Sequence, residues 1–445
     1  MGLLSKVKSF KGGVHPAEWK ELTKNLSFEQ MPNPNLVIIP LAQHIGKPAN
    51  PIVKKKDEVK AGQIIAEAEG FISSPIHSPV SGIIKDIHRE NTVSGFPKDS
   101  IVIQSSESNE VDLMDILNPE TITPEEIRQR VKAAGIVGQG GAAFPTFVKL
   151  SPPEKTKIDC VILNGCECEP YLTRDDRYMI ERTQDVVNGL KLIMKALGVK
   201  KGAIGIENNK SEAISKIRAA VKNQNDISVE ILQTKYPQGA EKMLIKAVLD
   251  REVPPGKLPM DVGAVIQNIG TAIAIYDSVT KGEAQITAAI TVSGGGIKQP
   301  KNVIVPVGTP LKDVLDFCGG VKDNAVKVIV GGPMMGVTQF DFGAPVMKAT
   351  SGILVLTSAE VNAHPETPCL KCGKCIEVCP LGLVPTKLAR FSQLERYEDA
   401  ENFGITTCME CGTCTFTCPA NIPLVQWLRL GKQKVLTLQR EKKSA

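Results

Sequence analysis

The chain has 445 residues, 42% of them hydrophobic, and a formal net charge of +5. That length suits about three domains, and so small a charge does not point to nucleic acid. Aromatics make up only 4%, so aliphatic side chains must build the cores, and 38 Gly with 30 Pro predict many turns and short strands rather than a helical bundle. MGLLSKVKSF at the start lacks the apolar run of a signal peptide. The most apolar stretch, residues 262–276, contains Gln267 and Asn268 and is too short to span a bilayer. A soluble or peripheral protein is expected.

In residues 10–50, FKGGVHPAEWKELT and PNPNLVIIPLAQHIGKPANP read as strands and turns. Residues 53–87 follow, with V-x-x-G-Q-x-I-A-E near their start and S-P-V-S-G-I-I near their end. This pattern resembles the barrel-sandwich hybrid of biotinyl and lipoyl domains. The tip region, EGFISSPIHS, has no Lys, so the fold is expected without a prosthetic group. His77 and His88 can ligate metal, but exposed loop histidines are the simpler reading. Lys54, Lys55 and Lys56 read as a solvated turn. Residues 106–125 form a polar, acidic linker. Thr123 is the expected N-cap of the next helix, with Glu126 completing a capping box and Gly135 ending the helix.

Next comes IVGQGGAAFPTFVKL, residues 136–150. A Gly-rich turn lets backbone N–H groups approach a phosphate or a flat ring, although a tight turn alone also explains it. It is neither a Walker A sequence nor G-x-G-x-x-G. IDCVILNGCECEP then places a buried strand before a polar loop. Helix 185–198, the strand KGAIGIEN, the helix KSEAISKIRAAVKNQ and ISVEILQTKYPQGAEKMLIKAVLD continue a βαβαβ alternation. That predicts a parallel, Rossmann-like sheet, which binds ligands at the carboxyl ends of its strands. Residues 286–318 suggest a small β-grasp module, and residues 327–356 return to strands. Residues 361–368 read as a linker.

The strongest signal is C-terminal. CLKCGKCIEVCP and CMECGTCTFTCP each follow C-x2-C-x2-C-x3-C-P, and 28 residues separate Cys379 from Cys408. This spacing holds a [4Fe–4S] cluster, with the fourth Cys of each run usually serving the other cluster. The expected sets are Cys369, Cys372, Cys375 and Cys418 for one, and Cys379, Cys408, Cys411 and Cys414 for the other. Zinc and disulfides are the alternatives, but zinc sites rarely use x2-x2 spacing followed by C-P. Two loaded clusters would add roughly −4 and leave the holoprotein near neutral. VPTKLARFSQLER, AENFGI and IPLVQWLRLGKQKVL have helical periodicity, so an α-helical ferredoxin is expected. The basic tail reads as a solvated end or docking surface. Cys160, Cys166, Cys168 and Cys318 read as small buried side chains rather than a third metal site. Met334 and Met335 read as packing.

Four middle segments carry a family resemblance. GQGGAAFPTFVKL and NGCECEP resemble GRGGAGFPTGLKW and NADEGEP of the flavin-bearing, NADH-oxidising subunit of respiratory complex I. YPQGAEKML resembles its YxxGEE segment, and IQNIGT its NNVET. With GGVHPAEWKELT, the module order and the double cluster, nearly the whole chain resembles the C subunits of the Rnf electron-transport complexes. The resemblance implies FMN and NAD(H) in the middle domain. The backbone of Gly138, Gly140, Gly141 and Ala142 would face flavin and nicotinamide. Phe144 would stack on the nucleotide, and Lys149 would pair with the flavin. Asn164 and Glu167 would hold the isoalloxazine edge, and Glu169 would bind NAD hydroxyls. Tyr236, Gly239 and Glu241 would complete the pocket, with Asn268 and Thr271 on the FMN phosphate. Cys166 and Ala240 depart from the pattern, each standing where the family has a carboxylate.

The expected architecture is therefore multidomain α/β and β. A barrel-sandwich hybrid region occupies 1–120 and a Rossmann-like FMN/NAD domain 121–284. A β-grasp module of SLBB type occupies 285–362 and a two-cluster α-helical ferredoxin domain 363–445. The implied protein is a peripheral subunit on the cytoplasmic face of a membrane. It would exchange hydride with NAD(H) and single electrons with an Fe–S partner subunit, while other subunits translocate ions. A soluble reductase of cobalamin-reductase type and a flavin-free wiring module are the alternatives.

Overall fold

The computed structural model describes residues 7–108 and 110–444. Residues 1–6, the start of the segment read for a signal peptide, lie outside the described residues. At the centre is a four-stranded sheet in the order Ile227–Leu232, Gly202–Glu207, Cys160–Gly165, Ala264–Asn268, parallel throughout. Gly202–Glu207 is buried along its whole length, as a strand covered on both faces must be. Thr123 caps the Pro124–Ala133 helix through the expected box with Glu126. The predicted 185–198 helix runs Thr183–Leu197 and stops at Gly198 in the left-handed conformation.

The apolar stretch 262–276 is two elements. Its strand, Ala264–Asn268, breaks at Asn268, whose side chain accepts the Gly270 N–H at 2.8 Å and starts the Ile269–Thr280 helix. That helix packs on Thr183–Leu197 at a glycine. A Cβ on Gly189 would stand 2.2 Å from the Ala272 carbonyl oxygen.

The N-terminal region forms two small sheets around Val37, Ile39, Ile65, Ile84 and Ile101. His77 is not an exposed loop residue. It is buried in the Ile76–His77 strand, where burial and the neighbouring Lys348 cation push its pKa down to about 3. His88 is in a strand too, paired with Glu90 at 2.6 Å. The β-grasp module supplies five strands of a six-stranded mixed sheet and the Leu311–Phe317 helix. Beyond it, the cluster domain consists of helices without a strand among the described residues, the longest being Leu424–Ser444.

The first described residues do not belong to the barrel. They run as a strap across three modules. Lys8 pairs with Leu232 and Val14 with Tyr236 at the parallel sheet, and the Gly13 N–H reaches the Val378 carbonyl at 2.9 Å. Phe28–Gln30 adds the sixth strand to the β-grasp sheet, beside Lys301–Pro306. Lys20 is buried, and its ammonium donates to the carbonyls of Glu167, Glu169 and Leu172. Glu169 in turn accepts the N–H groups of Met334 and Met335, each at 3.0 Å, joining the Rossmann-like loop to the β-grasp module. Burial pushes its pKa up to about 7, against the pull of those two amides.

These joints can be tested singly. Gly189→Val drives the two helices apart, with an expected loss of about 1–3 kcal/mol by overpacking, read as a lowered denaturant midpoint. Glu169 holds its proton more tightly folded than unfolded, so its contribution to stability is full below about pH 4.5 and fades as pH rises through about 7. Thermal scans from pH 5.5 to 7.5 are expected to show a falling Tm, and Glu169→Gln to flatten part of that fall.

Candidate flavin pocket and cluster cages

The Gly-rich segment is a closed loop at the carboxyl edge of the parallel sheet. Val137 bridges Pro145, and the Gly138 N–H bonds the Phe144 carbonyl at 2.9 Å. The tip, Gly140, Gly141 and Ala142, is exposed. Gly140 has φ +68°, and a Cβ there would stand 3.2 Å from both Arg174 Nη2 and Asn268 Nδ2. The Gln139 N–H bonds Thr271 Oγ1 at 3.0 Å, so the loop is pinned to the start of the Ile269–Thr280 helix. Phe144 is half-buried and packs on the core of this domain.

The neighbouring strand ends contribute the rest. Asn164 donates to the Gly239 carbonyl at 2.7 Å and accepts the Cys166 N–H at 3.1 Å. Gly239 must be glycine, because a Cβ would lie 2.4 Å from the Cys166 carbonyl oxygen. Lys149 pairs with Glu241 and donates to the Ile266 carbonyl at 3.2 Å. A loop with exposed backbone, a cation and a helix N-terminus thus converge at one sheet edge. Such a donor set suits a flat ring carrying a phosphate.

Three expected pocket residues are otherwise engaged. Glu167 accepts the N–H groups of Asp175 and Asp176, capping the Arg174–Glu181 helix, and burial raises its pKa to about 7 against the opposing Lys20 charge. Glu169 is spent on Met334 and Met335. Tyr236 is buried and donates its hydroxyl to the Cys411 carbonyl at 2.7 Å. The Cys166 thiol donates to the Gly205 carbonyl at 3.6 Å, and burial holds its pKa well above the ordinary thiol range. Cys160 and Cys318 lie in separate cores.

None of the twelve cysteines is in a disulfide. The two cysteine runs repeat one backbone. Lys371 and Glu410 both take left-handed conformations, at φ +55° and +60°, as do Gly373 and Gly412, at +78° and +79°. In each run an N–H reaches the first thiol at 3.4 Å, from Lys371 to Cys369 and from Glu410 to Cys408. A one-turn helix then follows, Lys374–Glu377 or Thr413–Phe416.

Cys379, Cys408, Cys411 and Cys414 line one cavity, walled by Leu383, Val425 and Leu428. They come from both runs, in the crossed set that the spacing predicts. Burial pushes Cys408 to about 11 and Cys414 to about 12, and their thiol neighbours add to the Cys414 shift. Holding these buried groups as thiolates together calls for a bound cationic centre, and an iron–sulfur core is one. In the other set, burial raises Cys375, and Cys418 is close enough to add to the shift. Cys369 and Cys372 are exposed.

Sequence reading missed Lys20, Arg174 and Asp175. WKEL and TRDDR carry no spacing signal. Their importance comes from burial against segments distant in the chain.

Comparison with known proteins matches each module. Residues 8–108 match the RnfC barrel sandwich hybrid domain, 131–277 the Nuo51 FMN-binding domain, 289–338 the SLBB domain and 368–422 the 4Fe-4S dicluster domain. The chain is 48% identical over 427 residues to the C subunit of the proton-translocating ferredoxin:NAD(+) oxidoreductase complex of Clostridium ljungdahlii, covering 95% of this chain and 93% of that one. It is 45% identical over 441 residues to the C subunit of the Na(+)-translocating ferredoxin:NAD(+) oxidoreductase complex of Acetobacterium woodii, covering 97% and 98%. It is 42% identical over 438 residues to the C subunit of the ion-translocating oxidoreductase complex of Rhodobacter capsulatus, covering 98% and 84%. The chain belongs to the family of C subunits of ion-translocating ferredoxin:NAD(+) oxidoreductase complexes.

Proposed function

We propose that this chain passes electrons between NAD(H) and a protein partner, with FMN at the carboxyl edge of the parallel sheet and two [4Fe–4S] clusters in the C-terminal domain. The observation that carries this reading is the 2.7 Å hydrogen bond from Tyr236 to the Cys411 carbonyl. It joins a residue of the flavin-type motifs directly to the backbone of a cluster cage. When bound, FMN accepts two electrons together from NADH and gives them up singly, the exchange that one-electron clusters require.

The protein residues divide the remaining work. Gly138, Gly140, Gly141 and Ala142 offer backbone to a flat ring, and Asn268 and Thr271 offer polar groups to its phosphate. Lys149 supplies a positive charge beside the pocket, held in place by Glu241 and Ile266. Asn164 and Gly239 set the pocket's edge. Phe144 flanks it, and Tyr236 ties the sheet beside it to the cluster domain. Glu167 and Glu169 act by fixing the loop that follows the Asn164 strand, since their oxygens already accept backbone N–H groups.

The cage of Cys379, Cys408, Cys411 and Cys414 is the inner one, turned to the pocket. The set of Cys369, Cys372, Cys375 and Cys418 is the outer one, offered to a partner through its exposed members. No helix among the described residues is long and apolar enough to cross a membrane. We place the chain peripherally on the cytoplasmic face, bound to partner subunits that move the ion. An Fe–S subunit would meet the outer cage.

Reconstitution with iron, sulfide and FMN, followed by NADH, tests the reading. Bleaching of bound flavin is expected; bound flavin that NADH leaves unbleached contradicts the NAD(H) site. Cys411→Ala is expected to lower iron from about eight to about four per chain. It should leave flavin bleaching intact and abolish delivery to the partner. Tyr236→Phe removes one buried hydrogen bond, with an expected cost of about 0.5–1.5 kcal/mol. Cluster reduction should slow while iron content is unchanged.

A further inference from the structure

Arg174 opens the Arg174–Glu181 helix and is 1% exposed. Its Nη1 donates to two carbonyls of the β-grasp region, Ala289 at 3.0 Å and Thr350 at 3.3 Å. Its Nε faces the Asp175 carboxylate at 3.4 Å. Its Nη2 is buried and has no partner. An unpaired guanidinium nitrogen in such a place is costly, so the position calls for an acceptor.

The position of Nη2 identifies that acceptor. It borders the space that Gly140 leaves by having no side chain, 3.2 Å from where a Cβ would be, and Asn268 Nδ2 stands at the same distance. The space lies at the N-terminus of the Ile269–Thr280 helix, twelve residues long. The Thr271 hydroxyl accepts the Gln139 N–H and so keeps its own proton to donate. Asp175 supplies an opposing charge. It accepts the second donor role of Asn268, through Nδ2 at 2.8 Å, and faces the Nε side of the guanidinium. The donors left over, Arg174 Nη2 and the second Asn268 Nδ2 proton, stand together beside the Gly140 backbone at a helix N-terminus, a donor set that suits an anion.

We infer that Arg174 is the cation of the FMN phosphate site, held in position by the β-grasp module. The inference rests on FMN occupying the 138–142 loop as proposed above. Arginine suits the role because one planar fork serves two carbonyls and a phosphate oxygen together, which a lysine ammonium cannot reproduce. It also gives the β-grasp module a task in flavin retention. The Ala289 and Thr350 carbonyls aim the guanidinium, so loss of that packing loosens the phosphate rather than the ring.

The test compares FMN with riboflavin, which lacks the phosphate, on the flavin-stripped full chain with both clusters intact. Binding is read by quenching of flavin fluorescence. The parent protein is expected to prefer FMN. Arg174→Gln should weaken FMN by about 10- to 100-fold and leave riboflavin within about twofold. Arg174→Lys, which keeps a cation, should fall between, and it supplies the comparison if the Gln variant does not fold. If the variants retain the parent's full preference for FMN, the Arg174 inference is overturned while the flavin site stands. A parent that binds neither flavin, or binds both equally, overturns the site reading and this inference with it.

Discussion

The docking of the cluster domain onto the parallel sheet is the constraint on which everything else depends. Cofactors on separate modules exchange electrons only if those modules are held together. Tyr236 reaches the Cys411 carbonyl, Gly13 reaches the Val378 carbonyl, and a Cβ on Gly412 would stand 2.8 Å from the Met334 carbonyl oxygen. Arg429 adds a bond to the Met335 carbonyl at 3.3 Å. The contacts come from three different modules, so the inner cage is fixed from several directions. The 361–368 segment does not have to hold the domain alone.

A second theme is the use of buried charge as mortar. Lys20 holds three carbonyls of the loop that follows Cys160–Gly165, and Glu169 holds two amides of the β-grasp module. Each group is desolvated, which shifts Lys20 downward and Glu169 upward. Each is tolerable because its backbone partners replace lost water. Such joints are geometrically demanding, and they fix the loop after Asn164 more tightly than apolar packing would. The same logic places Arg174 between two modules.

Much of this was legible in the sequence. The cysteine spacing foretold a crossed pairing, and the structure gathers Cys379 with Cys408, Cys411 and Cys414. The βαβ alternation foretold a parallel sheet, and Thr123 with Glu126 foretold a helix start. The strap of residues 7–31 was not legible, because its short strands pair with segments some 200 or more residues away and carry no local pattern of their own. His77 was misjudged because neighbouring Ser and Pro suggest a loop, whereas tertiary burial decides its exposure. The motif carboxylates were matched by position, but position could not reveal that Glu167 caps a helix. FMN, two [4Fe–4S] clusters and membership of a ferredoxin:NAD(+) oxidoreductase complex nonetheless followed from motif order, and the comparisons agree.

The central claim is an order: pocket, inner cage, outer cage. Freeze-quench electron paramagnetic resonance on the fully loaded protein mixed with NADH tests it most directly. Substitution at Cys411 and at Cys372 assigns the two cluster signals. The account predicts that the signal lost on Cys411 substitution develops first and the one lost on Cys372 substitution second. The reverse order, or reduction of the outer cluster in protein that lacks the inner one, would contradict it.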